Sequence, residues 1–248
     1  YLALSRSIGK QMAAVSGDVG DADSQANETL KQLLFKRARL IGSAVNKIPK
    51  LRDLLTEAGI EDLHHTLVYS GDGTVGDESE KTRRQLEAIT ELMGNELGLR
   101  IHQFTYEEDQ AERERLLDEF ETGVLQALVA IRCLDEGVDV PATRTAFILA
   151  SSSNPRQFIQ RRGRILRTHP NKDHATIHDF VVAPPTEIRE AGEDSLFSLE
   201  RNLVQKELQR VSTFAESARN HPDASIPGIP TSTGSIRQLK KDFNLLDV

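Results

Sequence analysis

The sequence predicts an α/β fold, a parallel sheet flanked by helices, with helical extensions at both ends of the chain. Three observations predict it. Between residues 61 and 185 short apolar runs alternate with amphipathic stretches at helical spacing, the pattern of a sheet covered on both faces. On either side of that region the periodicity is helical only. The 248 residues also leave room for additions to one sheet-based body. The expected organisation is a helical extension over 1–60, an α/β domain over 61–185 and a second helical extension over 186–248.

Leu2, Leu4, Ile8, Met12 and Val15 stand at mixed helical spacings and predict a short helix, and the polar run Ser16 to Asn27 predicts a mobile loop. From Glu28 to Val45 the residues Leu30, Leu33, Leu34, Ala38, Ile41 and Val45 recur at helical intervals. Lys36, Arg37 and Arg39 between them suit either a solvated face or a nucleic-acid groove. Pro49 ends this helix or restarts it into Lys50 to Ala58, and Gly59 stops the run. Strands are then expected at His65–Ser70, Arg100–Thr105, Leu125–Ile131, Thr145–Ala150 and Ala175–Val182. Helices are expected near Glu80–Leu97, Glu108–Thr122 and Pro155–Arg162. Right-handed crossovers place the loops after the strands on one sheet edge, where open α/β sheets bind ligands. After Pro184-Pro185 a helix from Ser195 to Asn220 carries Leu196, Leu199, Leu203, Val204, Leu208 and Val211. Its apolar face packs on the sheet domain or docks a protein partner. A Pro/Gly-rich loop to Gly234 and a short helix follow.

Composition excludes several classes. With 31 Lys+Arg against 38 Asp+Glu and a net charge of −7, overall charge does not argue for nucleic acid, so any such surface is local. The single cysteine, Cys133, excludes an internal disulfide framework and suits a reducing cytoplasm. It has no evident His partner for nucleophilic chemistry and reads as a small packed residue. No apolar run approaches the roughly 18 residues of a membrane span, and Tyr1 opens a segment unlike a signal peptide. Starting without methionine suggests a piece of a longer chain. Neighbouring His64 and His65 would point to opposite faces of a strand, so no metal site is expected there.

Two stretches carry chemistry. Leu128 to Pro141 is a buried strand running into an acidic loop: Gly137 permits close approach or positive φ, and Asp139 can accept hydrogen bonds from a ribose hydroxyl. A strand followed by an ordinary Asp/Gly turn has the same look. In Asn154 to Arg167, Pro155 starts a helix and Gly163 ends or bends it. Arg164 and Arg167 project to one side if the backbone stays helical, two guanidinium forks suited to phosphate. Five arginines between Arg156 and Arg167 favour a local anion site in an acidic protein.

Gln160-Arg-Arg-Gly-Arg-Ile-Leu-Arg167 resembles motif VI of superfamily 2 helicases, Q-x-x-G-R-x-x-R, and Leu134-Asp-Glu-Gly-Val-Asp-Val-Pro141 resembles their motif V. Leu67-Val-Tyr-Ser-Gly71 is similar to motif IV, and Gln103-Phe-Thr105 stands where the next strand carries a threonine. The resemblance covers roughly His65 to Val182 and lies nearest the restriction-enzyme, excision-repair and XPB-like branches. It implies a RecA-like domain, the second motor lobe of an ATP-dependent DNA helicase or translocase. Arg167 would be the arginine finger on the γ-phosphate, Arg164 would reach the phosphates, and Gln160 would couple nucleotide to strand. Gly137 and Asp139 would touch the nucleotide. Ser70, Gly71, Thr105 and Arg132 would face the backbone of a bound strand. Many relatives carry a small polar residue where this chain has Ile131 and Arg132, so Arg132 either takes over a phosphate contact or pairs with Asp135.

A motor also needs G-x-x-x-x-G-K-[ST] and D-E-x-H/D, and the lone Gly9-Lys10 pair lacks that context. The expectation is therefore half of an ATPase site. ATP with Mg2+ would be held mainly by an upstream RecA-like domain of the same polypeptide, and this chain alone would be inactive. The partners implied are DNA, with RNA left open, and that upstream domain; DNA restriction or defence is the process the branch suggests. The rivals are a catalytically inactive nucleic-acid-binding or scaffold domain that retains the fold, and a nucleotide-binding regulatory module without strand contact.

Overall fold

Each of the five apolar runs forms a strand, and together they make one parallel sheet. The computed structural model describes residues 1–17, 23–71, 74–75, 83–131, 139–150, 155–170, 172–185, 187, 194–216, 218–220 and 234–245. The strands are β1 (Thr66–Ser70), β2 (Thr74–Val75), β3 (Arg83–Arg84), β4 (Ile101–Phe104), β5 (Ala127–Ile131), β6 (Thr145–Ile148) and β7 (Thr176–Asp179). The sheet runs β4-β5-β1-β6-β7, every neighbouring pair parallel. β2 and β3 pair antiparallel as a separate two-residue ladder, too short to leave a period in the sequence.

Parallel strands joined by crossovers are buried on both faces and read as continuous apolar runs. In register, Val68 of β1 lies beside Val129 of β5 and Phe147 of β6. All three sit in a core with Leu51, Leu55, Ile89, Leu92 and Met93. Leu67 and Tyr69 alternate to the other face and are buried as well. Phe147 stacks on the His178 ring at 4.7 Å, and burial there pushes the His178 imidazole below its ordinary range, with Glu57 opposing. The flanking helices are α3 (Lys47–Ala58), α4 (Gln85–Thr90), α5 (Gln110–Glu121) and α6 (Pro155–Ile165). α4 continues into a π-helical turn, Glu91–Glu96, closed by the Leu97 amide donating to Leu92 O at 3.0 Å. α5 begins where the Asp109 carboxylate accepts from the Glu112 amide at 2.9 Å. This α/β sheet flanked by helices is the RecA-like architecture that the motif resemblance implies.

The chain divides into two compact units, one of Arg39–Phe180, which holds the sheet, and another of Tyr1–Ala38 with Val181–Val248. The second contains α1 (Leu2–Gly17), most of α2 (Asp23–Gly42), α7 (Asp194–Ala215) and α8 (Gly234–Asp242). Val204 and Leu208 of α7 are buried with Phe243 and Leu245, so part of its apolar face is covered within this unit. The helical periodicity predicts a single extension over 1–60, whereas residues 39–60 group with the sheet because Leu51 and Leu55 of α3 belong to its core.

Several expectations need correction. Residues 23–27, expected as loop, form the start of α2, and α2 stops at Gly42. Pro49 neither ends nor begins a helix; it lies in the first turn of α3, where its missing N–H costs nothing. Arg37 joins neither a solvated face nor a groove, because it is buried and paired with the buried Glu200 at 3.5 Å. The Tyr1 hydroxyl donates to that same carboxylate. Burial, reinforced by that bond, pushes the Tyr1 phenol well above its ordinary range. His65 is outside β1, with φ +52, and its ring packs edge-on to Phe120. Among the described residues no helix is long and apolar enough to cross a membrane.

Candidate functional site

The strand ends carry the candidate site. β5 delivers the chain into residues 132–138, so Arg132, Cys133 and Gly137 lie outside the described residues. Asp139 is described, and the segment leaving it is pinned by the buried Val140 and Ala142, with the Thr143 amide donating to Val140 O at 3.1 Å.

α6 runs from Pro155 through Gly163 to Ile165. Gly163 therefore does not end it. Ile165, 1% exposed, anchors the last turn, and the Leu166 amide closes it on Arg162 O at 2.9 Å. Arg164 is inside the helix and Arg167 lies beyond it, so the two do not share a helical face by three-residue spacing as expected. Instead the Arg167 guanidinium leaves the helix end and pairs with the Asp139 carboxylate. The fold thus brings together one residue from each motif, 28 positions apart. The other oxygen of that carboxylate, Asp139 Oδ1, and the Arg164 Nη1 atom are both buried and have no hydrogen-bond partner among the described residues. A buried polar atom left without a hydrogen-bond partner costs about 1–3 kcal/mol, and more when charged, which makes these two atoms candidates for a ligand contact. Gln160 is exposed on α6.

A residue that sequence reasoning missed braces this arrangement. Lys172 Nζ donates to Pro141 O at 2.6 Å and to Ile165 O at 2.8 Å, joining the exit of one motif to the helix end of the other. Its position satisfies a terminal helix carbonyl with a cation. Burial pushes the ammonium below the usual lysine range. A lysine shortly after a predicted helix was the available signal, but not its second partner. Lys172→Met is expected to lower the unfolding free energy of the sheet unit by about 1–3 kcal/mol; unchanged urea unfolding would contradict the brace.

On the same edge, the strand-contact candidates are held by their own neighbours. Ser70 is 1% exposed, and its hydroxyl donates to Gly71 O at 3.0 Å and Gln85 Oε1 at 3.4 Å. Its hydroxyl is therefore satisfied within the protein. The Gly71 amide donates to Gln85 Oε1 at 2.9 Å. The Thr105 amide and hydroxyl donate to the Glu108 carboxylate at 2.6 and 3.0 Å, a local cap that Arg113 reinforces by donating to Thr105 O and Glu108 O, both at 3.1 Å. Among the described residues no three His, Cys, Asp or Glu side chains gather to ligate a metal.

Comparison with known proteins gives a consistent placement. Residues 58–169 match the helicase conserved C-terminal domain. The chain is 34% identical over 145 residues to the DNA 3'-5' translocase XPB2 of Sulfurisphaera tokodaii, covering 58% of this chain and 28% of that protein. It is 26% identical over 167 residues to the UvrABC system protein B of Streptococcus pneumoniae, covering 63% of this chain and 24% of that one. The chain thus spans about a quarter of the length of these relatives. The C-terminal part of the Fun30 ATPase domain superposes with a TM-score of 0.46 at 16% identity, over 79% of this chain and 65% of that one. By these matches residues 58–169 resemble the helicase conserved C-terminal domain, and the chain is similar over part of its length to XPB2 and to the UvrABC system protein B.

Proposed function

We propose that this chain supplies the second motor lobe of an ATP-dependent DNA helicase or translocase. The observation that carries the reading is the Asp139–Arg167 ion pair, with Asp139 Oδ1 and Arg164 Nη1 without a hydrogen-bond partner among the described residues. Two motifs that share no local structural reason to meet are joined by this ion pair, and among the described residues one oxygen of its carboxylate has no hydrogen-bond partner. In the proposed cycle ATP is held mainly by an upstream RecA-like domain, which also holds Mg2+; the cation would neutralise phosphate charge there. Lobe closure brings the nucleotide to this edge. Asp139 then exchanges Arg167 for a ribose hydroxyl, and Arg167 and Arg164 turn to the γ-phosphate as charge develops on it. Gln160 and Gly137 line the same nucleotide. Water takes the phosphoryl group, ADP leaves, and reopening shifts the lobes along the strand.

The strand would follow the edge at Gly71, Arg132 and Thr105, with Thr105 meeting a phosphate only by exchanging Glu108 for it. DNA is the proposed strand because the XPB2 relative is named a DNA translocase. The proposed compartment is the cytoplasm. Assignment to DNA restriction or defence rests on the motif resemblance alone, since neither named relative carries such a role in its name.

The test is ATP hydrolysis by the full polypeptide with and without single-stranded DNA, alongside the 248-residue chain alone. Stimulation of the former and no turnover by the latter are expected. Turnover by the chain alone overturns the half-site reading, whereas a full polypeptide that shows no response to DNA favours the inactive binding or scaffold domain. Strand affinity is also expected to fall steeply between about 50 and 200 mM salt.

A further inference from the structure

Behind the strand-contact edge lies a closed ring of hydrogen bonds that the proposed cycle does not use. Gln85, at the start of α4, is fully buried. Its Oε1 accepts from the Gly71 amide at 2.9 Å, and its Nε2 donates to Gly42 O at 3.1 Å. Lys47, also buried, donates to that same Gly42 carbonyl at 2.9 Å and to Leu149 O at 2.6 Å. The Leu149 amide returns to Tyr69 O at 2.9 Å, two residues before Gly71. One carbonyl at the end of α2 is therefore the shared node for the exits of β1 and β6. The first exit leads to the proposed strand contact at Gly71, and the second leads toward α6 and its arginines.

We propose that Gln85 and Lys47 are positioning residues that lock the β1 exit, the β6 exit and the end of α2 into one unit, so that Gly71 and Leu149 move together. The functional consequence rests on the motor reading above; the ring does not. Satisfied buried polar networks rigidify the segments they join, and removing one member leaves the others unpaired. Gln85 spans the gap because an amide can accept from one backbone and donate to another. The cation at Lys47 suits the carbonyl end of α2.

Two measurements test this. In the 248-residue chain, amide hydrogen exchange at Gly71 is expected to accelerate about tenfold in Lys47→Met, although Lys47 does not bond to Gly71. Unchanged exchange there overturns the ring as a unit, whatever the protein's activity. In the full polypeptide, Gln85→Met and Lys47→Met are each expected to raise the DNA concentration for half-maximal ATPase stimulation about tenfold. The slope of binding against salt should stay unchanged, since no phosphate contact is lost. The double variant should be no worse than the worse single one, because a ring cut once is already open. Additive effects, or no effect in folded variants, overturn the proposal. A salt slope reduced by about one would make either residue a direct phosphate contact instead. If Gln85→Met does not fold, Gln85→Asn, too short to bridge both backbones, gives the same reading. A wild-type polypeptide that DNA does not stimulate refutes the motor reading and leaves the exchange experiment to judge the ring.

Discussion

Arg167→Ala in the full polypeptide is expected to lower DNA-stimulated ATP hydrolysis about 10³-fold, the scale of losing an arginine finger. Arg167 is more than half exposed in its pairing with Asp139, so little folding free energy depends on it and the unfolding transition should barely move. Arg167→Lys should recover only a small part of the activity, because an ammonium lacks the planar fork. ATP binding, which the upstream lobe dominates in the proposed cycle, should persist in both variants. Hydrolysis that survives Arg167→Ala would make the pair with Asp139 a structural contact only.

The largest expected stability effect lies at the centre of the sheet. Phe147→Ala removes a fully buried ring that packs between β1 and β7, beside Val68 and against His178. Loss of a buried phenyl costs about 3–5 kcal/mol, a large share of the roughly 5–15 kcal/mol that holds a domain folded. Urea unfolding of the chain should show the transition midpoint falling sharply. A loss under about 1 kcal/mol would mean that the sheet repacks around the gap.

The fold was legible because its strands are buried on both faces, and uninterrupted apolar runs such as Ala127–Ile131 announce that burial directly. Strand ends were less legible: Ala175–Val182 shortens to Thr176–Asp179, since an edge strand is ordered only as far as its single neighbour β6 pairs with it. Gly163 misled because helix propensity is weak against tertiary anchoring; Ile165 in the core and Lys172 on the last carbonyl carry α6 past it. At the candidate site, residue types and spacing single out Asp139, Arg164 and Arg167 as candidates, but not that Asp139 holds Arg167. Arg37, Gln85 and Lys172 were illegible for one reason. Their partners lie 163, 43 and 31 positions away, and no local period encodes such a bond. At Ser70 the motif locates the strand end, while the inward turn of its hydroxyl toward Gln85 depends on packing that the motif does not encode.

In the proposed cycle Arg167 exchanges Asp139 for the γ-phosphate. The most direct measurement of that exchange is a structure of the full polypeptide with single-stranded DNA, ADP and a metal-fluoride mimic of the transferred phosphoryl group. The Arg167 guanidinium is expected within hydrogen-bond distance of the fluorides, with Asp139 released to the ribose. Arg167 still paired with Asp139 in that closed state would contradict it.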